Sequence, residues 1–389
     1  MWKNLKNWQS LGTAQIDRTA SEERFKSLEA CFGYTINRLE NALRELLPKL
    51  LIFKSPFPIS AALEIFAVQK SNITNLYNRS LLTRIDSENP EYLLYYIHPA
   101  LRSYLQNKSD KNLESEYGKT FSRYYLKFLS DTYNEWGKEN HVPSIARFNI
   151  IAESEYADFD RVIKLAKKNP QVGADISALL GLIYTNLGIL SKALEYQSIS
   201  LSIDEELNDR VGLAGDYTNR GVVLANMEKL QEALESYNEA LNIDEELNDK
   251  VGMAADYKNI GIVLGLMGSL QEALENHNKS LEIHDELNDR AEIAKDYTNI
   301  GNILRRMGKY QEALENHNKA LEIDKELEDR METAKVYYNI SWVLSRTNKD
   351  EALKSLYNAL TILQEFEKEN NYRHPLLEKV NNRISYLKG

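Results

Sequence analysis

Few residues in this chain of 389 come in combinations that chemistry demands. The nearest approach to a phosphate loop is Gly118-Lys119-Thr120, but Leu113 stands where the first glycine of GxxxxGK[ST] belongs, and the surrounding ESEYGKTFSRYYLKF reads as helix. HExxH, GxSxG, a metal-spaced Cys or His cluster and a glycine fingerprint after a strand are all missing, so neither catalysis nor a metal site is expected. His277 and His317 lie forty residues apart, in register with Tyr237, which marks a helix-packing position. What does recur with chemical meaning is an amide: Asn219, Asn259, Asn299 and Asn339 repeat at the same interval. Asparagine is a poor mid-helix residue. Its side chain offers one acceptor and a donor group, which suits the main chain of an extended peptide. The alternatives are bonds between neighbouring helices, or duplication that simply copied the residue.

The same interval governs the elements that carry these residues. EELNDR at 205–210 returns as EELNDK at 245–250, DELNDR at 285–290 and KELEDR at 325–330. A fixed period of this length denotes an array in which each unit packs on its neighbours. Within one unit, Ala254, Tyr257, Gly261 and Leu264 lie at helical spacing, as do Leu270, Ala273, Leu274, His277 and Leu281 after the break at Met267-Gly268-Ser269. Each unit is therefore expected to be a shorter helix A, a tight turn and a longer helix B. Gly221 with Ala233, Gly261 with Ala273 and Gly301 with Ala313 are small where the two helices must approach. In the hexapeptide, Asn208, Asn248 and Asn288 are suited to the left-handed residue that ends helix B. Asp209, Asp249, Asp289 and Asp329 are suited to cap the next helix A.

The paired helices with their G…A pattern resemble the tetratricopeptide repeat, and the forty-residue period is similar to the long-helix variety of LGN-like and kinesin-light-chain-like scaffolds. The resemblance covers roughly residues 173–369, with 375–388 as a capping helix. It implies an α-solenoid whose A helices line a concave groove, with Asn219, Asn259, Asn299 and Asn339 facing a protein or peptide ligand. Lys258, Lys295, Asn302, Arg305, Lys335, Tyr338 and Trp342 join them, with Arg306 and Arg346 extending the basic run. An acidic or backbone-read peptide is the implied partner. The resemblance to carboxylate-clamp repeats is partial: Lys258, Asn299 and Lys335 match, whereas Ile262 and Asn339 replace an expected asparagine and arginine.

Residues 21–110 read differently. SEERFKSLEACFGYTINRLENALRELLPKLLIF is helical, PISAALEIFA and SNITNLYNRSLL are short helices, and LLTRIDS-ENPE-YLLYYIH is a two-stranded hairpin. Three helices and a hairpin make a winged helix. The run LLPKLLIFKSPFPISAALEIF…LYNRSLL…YLLYYIHPALRSYL resembles the winged-helix domain that follows the nucleotide-binding domain in STAND ATPases of the NB-ARC and MalT-like group. The segment KTFSRYYLKFLSDTYNEW…FNIIAESEYADFDRVIKLA resembles their helical connector. This resemblance implies that His98 contacts a nucleotide phosphate; taken alone, a His before Pro is a local cap or packing residue. No cofactor is expected in this chain, with ATP or ADP entering only through a nucleotide-binding domain upstream or in trans. A winged helix can also bind DNA, but the helix near 72–84 has only Lys70, Arg79 and Arg84 about it, too few for a phosphate-driven interface.

A net charge of −10 argues against a general nucleic-acid surface, and the single cysteine, Cys31, excludes an internal disulfide. No stretch approaches the roughly 20 apolar residues of a membrane span, and MWKNLKNWQSLG lacks a signal-peptide core. A cytoplasmic protein is expected, organised as a lead-in (1–20), a winged-helix-like α+β domain (21–110), a helical connector (111–170), five repeats (171–370) and a capping helix (371–389). The expected function is a protein–protein interaction module, the partner-sensing half of a STAND-type switch. The alternatives are a free-standing adaptor and a peptide-responsive winged-helix transcription regulator.

Overall fold

In a computed structural model, residues 30–54, 56–85, 93–107, 113–136, 163, 170–370 and 373–389 are described. The chain divides into two compact units, residues 1–128 with 146–172, and 129–145 with 173–389.

In the first unit the expected N-terminal helix is broken. Helix runs over 30–37 and restarts as α1 (Asn41–Lys49) after a turn. Arg44 Nη2 donates to the carbonyls of Asn37 and Leu39 at 2.7 and 3.0 Å, satisfying backbone acceptors that the break leaves free. Beyond α1 come β1 (Phe57–Pro58), α2 (Ile59–Phe66), α3 (Lys70–Asn78), β2 (Thr83–Ile85), β3 (Leu94–Tyr96), α4 (Pro99–Gln106) and α5 (Leu113–Trp136). β2 and β3 form the antiparallel wing, with Arg84 opposite Tyr95. β1 adds a third strand on the other side of β3, with Phe57 opposite Tyr95. Two residues are too few to show a strand periodicity, so β1 left no mark in the sequence. The core is aliphatic and aromatic: Leu47, Phe53, Phe57 and Phe121 are fully buried, and the rings of Phe53 and Phe57 stack 4.1 Å apart. The fold is winged-helix-like. Gly118-Lys119-Thr120 lies within α5, in helical conformation. The wing tip at 86–92 and the connector segment FNIIAESEYADFDRVIKLA lie outside the described residues, Ile163 excepted.

The second unit is the α-solenoid. Its helix pairs are α6 (Pro170–Asn186) with α7 (Leu190–Leu207), α8 (Arg210–Asn226) with α9 (Leu230–Leu247), and α10 (Lys250–Met267) with α11 (Leu270–Leu287). Then follow α12 (Arg290–Arg306) with α13 (Tyr310–Glu326), α14 (Arg330–Leu344) with α15 (Lys349–Asn370), and a final α16 (Pro375–Lys388). Helices A and B are short and long as expected only in the last pair, α14 with 15 residues and α15 with 22; α10 and α11 each have 18, because helix A starts at the last residue of the hexapeptide.

The junctions behave as their residues dictate. Asn208, Asn248 and Asn288 adopt φ of 53°, 55° and 57°, and Glu328 takes the same left-handed conformation in the fourth copy. Asp249 Oδ1 accepts from the amides of Val251 and Gly252, and Asp329 Oδ1 from those of Met331 and Glu332. The basic residue that ends each hexapeptide also reaches the end of the following helix B. Arg210 pairs with Glu246, Lys250 with Glu286 at 2.7 Å, Arg290 with Glu326 at 2.5 Å and Arg330 with Glu369 at 2.6 Å. These exposed pairs add little stability, about 0–1 kcal/mol each, but they lie in register along one edge.

Inside each unit a glycine on helix A meets a ring on helix B. A Cβ on Gly261 would stand 2.8 Å from Cε1 of His277, and one on Gly301 would stand 2.7 Å from Cε1 of His317. Both histidines are buried in this packing, deeper than a core-edge position, and burial lowers their pKa to about 4, so they are neutral at pH 7. They are core residues, not ligands.

Candidate peptide groove

The A helices α8, α10, α12 and α14 stack side by side, and their repeat register places equivalent residues in columns. One column is Asn219, Asn259, Asn299 and Asn339. Three residues on, along the same helix face, comes a second: Val222, Ile262, Asn302 and Trp342. All four asparagines are half-buried, and among the described residues none of their side chains has a hydrogen-bond partner. They do not bond to one another between helices. Four amides with unused donors and acceptors, flanked by exposed Ile262 and partly exposed Trp342, form a surface suited to a peptide main chain.

The lysines of this face are differently placed from what the sequence suggested. Lys258 Nζ and Lys295 Nζ both bind Glu292, each at 2.6 Å, and Lys335 binds Glu332 at 2.5 Å. Burial alone would raise the pKa of Glu292, but the hydrogen bonds and charges of its two lysines outweigh it and hold the carboxyl at about 2. Each of these three lysines thus has a carboxylate partner, and because Lys258 and Lys295 share Glu292 the group keeps one net positive charge against two carboxylates. Arg306 is likewise committed: its Nη1 donates to the carbonyl of Gly265 near the end of α10. Arg305 has no carboxylate partner among the described residues; its guanidinium lies 5.9 Å from the ring centre of Trp342. Tyr338 packs edge-on against Trp342 at 6.3 Å. Among the described residues, the part of the basic run without carboxylate partners is therefore the arginines at the C-terminal end.

His98 sits two residues beyond β3 and is exposed. Its Nδ1 accepts from the amide of Ala100 at 3.2 Å, capping α4. Beside α3, the helix that would enter a DNA groove, the guanidinium of Arg84 on β2 stacks 5.1 Å above Tyr77. No group of three or more His, Cys, Asp or Glu among the described residues is arranged to hold a metal, and no helix there is long and apolar enough to cross a membrane.

A set of buried carboxylates escaped the sequence reading. Asp204 at the end of α7 meets Asp216 of α8, and Asp244 of α9 meets Asp256 of α10. Burial first, and the neighbouring carboxyl after it, raise Asp216 to about 8 and Asp256 to about 7. At the next junction a histidine replaces the first acid, and His284 Nδ1 lies 2.6 Å from Oδ2 of Asp296. The signal was present: Asp216, Asp256 and Asp296 recur at forty-residue spacing in the DY of each helix A. A cleft of about 860 Å³ opens beside the first of these junctions, lined by Glu205, Glu245, Glu246, Arg210 and Tyr217 among others. Its cation is taken by the Arg210–Glu246 pair.

Comparison with known proteins agrees with this architecture. The tetratricopeptide repeat family model matches residues 213–286 and 289–365. No curated protein matches the sequence. Among solved structures, the apo form of RapI is 16% identical, with a TM-score of 0.50 over 67% of this chain and 95% of its own. A STAND protein with a tetratricopeptide repeat sensor from Pyrococcus horikoshii is 16% identical, with a TM-score of 0.46 over 93% of this chain. This chain spans 62% of that one. A putative kinesin light chain from Podosopora anserina is 15% identical, with a TM-score of 0.44 over 49% of this chain and 95% of its own. The likeness to RapI is one of fold.

Proposed function

We propose that this chain, whose residues 213–286 and 289–365 are tetratricopeptide repeats, is a protein–protein interaction module that holds a peptide along its A helices. The observation that supports this is the column of four half-buried asparagines without partners. Half-exposed amide donors and acceptors that no described protein group uses are open to water, and a bound main chain can take the place of that water. Asn259→Ala with Asn299→Ala tests it, by recovery of cellular partners on the immobilised protein, with circular dichroism to check folding. Loss of partners from a folded variant is expected; undiminished recovery refutes the groove.

The finer reading is that the chain is the sensing and transmission half of a STAND-type switch. The winged-helix-like unit that precedes the repeats supports it. In such a switch His98 would face a nucleotide phosphate, with ATP or ADP supplied by a separate nucleotide-binding domain. His98→Asn keeps an acceptor for the Ala100 amide and removes the imidazole. Weakened association with a nucleotide-loaded domain, in a variant whose repeats still capture partners, is the expected outcome. Equal association refutes this role for His98.

A further inference from the structure

Three arginines gather about one tryptophan where the repeats end. Trp342 is the last member of the second groove column, one turn beyond Asn339 on α14, and is 36% exposed. Arg383 reaches it from the capping helix α16, with its guanidinium 3.4 Å from the ring centre. Arg305 approaches the same ring from α12 at 5.9 Å. Arg346, in the turn after α14, is exposed and close enough for its charge to act on both.

What this cluster lacks is a counter-charge. The protein carries a net charge of −10, and the lysines of the same face each have a glutamate within reach. Yet among the described residues Arg305, Arg346 and Arg383 have no carboxylate partner. Arg383 is only 8% exposed; its Nη2 donates to Ser345 Oγ at 2.9 Å, while its Nε–H is buried with no acceptor. A buried donor without a partner, in a guanidinium beside two others, is an arrangement that costs free energy until an anion enters. Burial lowers the pKa of Arg383 first, and the adjacent charges of Arg346 and Arg305 act in the same direction. The guanidinium fork matches a carboxylate or phosphate in two-point geometry, which a lysine cannot do.

We propose that Arg305, Arg346 and Arg383, set about Trp342, form an oxyanion-recognition site at the C-terminal end of the groove, taking a carboxylate or phosphate monoester on a bound acidic peptide. The proposal rests on the groove reading above for the peptide, and adds its charge and its register. It uses positions other than Lys258, Asn299 and Lys335, whose lysines are already paired. The anion would lie one helical turn from Asn339, so the same ligand would be read through its main chain and through one side chain.

The test uses the full chain and three short fluorescent peptides, identical except for a central run of Glu, of phosphoserine or of Gln, with oligothymidylate as competitor. Anisotropy is measured at low and high salt. Either anionic peptide is expected to bind at least about tenfold more tightly than the Gln peptide, as charge-assisted pairing requires. Arg346→Gln and Arg305→Gln should each weaken it by about tenfold and flatten its salt dependence. Arg346 is exposed, and among the described residues its side chain has no hydrogen bond or ion pair, so its variant reports on binding. The stronger of the Glu and phosphoserine peptides identifies the source of the oxyanion. Anionic binding that both arginine variants retain, no binding of either anionic peptide, or tighter, arginine-dependent binding of oligothymidylate overturns the proposal. The Asn259→Ala, Asn299→Ala chain separates the two readings. Asparagine dependence without arginine dependence removes the oxyanion site and leaves the groove. The reverse leaves the site and removes the groove.

Discussion

Replacing Asp216 with Asn should stabilise the protein at neutral pH, although it removes an acid that recurs in the repeat core. Asp216 is 2% exposed and faces Asp204, and one oxygen of each has no donor. Two carboxylates cannot both ionise there, so a proton is retained. A folded-state pKa of about 8, against an ordinary 3.8, means the native chain binds a proton that the unfolded chain releases. For such a raised acid the stability is fully present below the unfolded pKa and is lost as pH climbs toward the folded one. At about 1.4 kcal/mol per unit over roughly three units, the loss by pH 7 is on the order of 4 kcal/mol. Asn ionises in neither state, and its NH₂ can donate to Asp204 in place of the shared proton. We expect Asp216→Asn to raise stability by about 1–4 kcal/mol at pH 7.5 in urea unfolding, and to leave it nearly unchanged at pH 4.5. The wild-type profile alone would mislead. His277 and His317, lowered to about 4, lose stability as pH falls from 6.5, opposing the acids over the same range. The variant-minus-wild-type difference cancels them. Asp296→Asn is the internal contrast: Asp296 meets His284 at 2.6 Å, so its removal breaks a native pair and the gain should fall below that at Asp216. A gain at Asp216 that is absent at pH 7.5, or equal at both pH values, would refute the shared-proton account.

Three further outcomes follow from the junctions and the packing. Asp249→Ala removes an acceptor from two amides at the start of α10 and should cost about 1 kcal/mol in thermal or urea unfolding. Glu228 holds φ of 61° in a turn where the equivalent residues are Gly188, Gly268 and Gly308, so Glu228→Gly should stabilise by about 1 kcal/mol; a loss of stability would show the left-handed geometry to be unstrained. Gly261→Ala drives a Cβ to 2.8 Å from the His277 ring and should cost about 1–3 kcal/mol, with part of the loss recovered in a double variant carrying His277→Ala; additive losses would exclude that contact as the cause.

The repeat architecture was legible because its signals are local and multiplied. Asn208 and Asp209 fix a helix stop and start through their own backbone preferences, and the other three copies check that reading. The wing was legible in β2 and β3 as two short β-prone runs about a turn-forming ENPE, but β1 was not, since two residues make no such run. The length of helix A in α8, α10 and α12 was not legible, because the Arg or Lys that opens it reads as part of the turn. The site was legible only in part. Position along helix A follows from the period, so the asparagine column could be placed. Lys295 and Lys335 pair with Glu292 and Glu332 three residues back on their own helices, a spacing the sequence displays, whereas the Lys258–Glu292 pair joins two helices across a tertiary distance that no spacing encodes. Arg383 was invisible for the same reason: it lies outside the repeat and enters the groove only by the packing of α16.

In a repeat array most recurring residues serve the array itself, and the histidines show how readily recurrence imitates function. His277 and His317 recur at forty residues and are chemically versatile, yet they sit neutral in the core against a glycine. Specificity has to come from what breaks the period on an accessible face. Along the second groove column the residues run Val222, Ile262, Asn302 and Trp342, from aliphatic to aromatic, and the charge beside them passes from paired lysines to unpaired arginines. A uniform peptide would find no preferred register on a uniform ladder of asparagines. The asymmetry supplies one: an anion held at the Trp342 end fixes which residue of the ligand faces each amide. On that account a ligand that lacks the anion would lose its register as well as affinity, which exchange of ligand between neighbouring positions on the ladder would reveal as broadened resonances of the Asn259 and Asn299 side-chain amides.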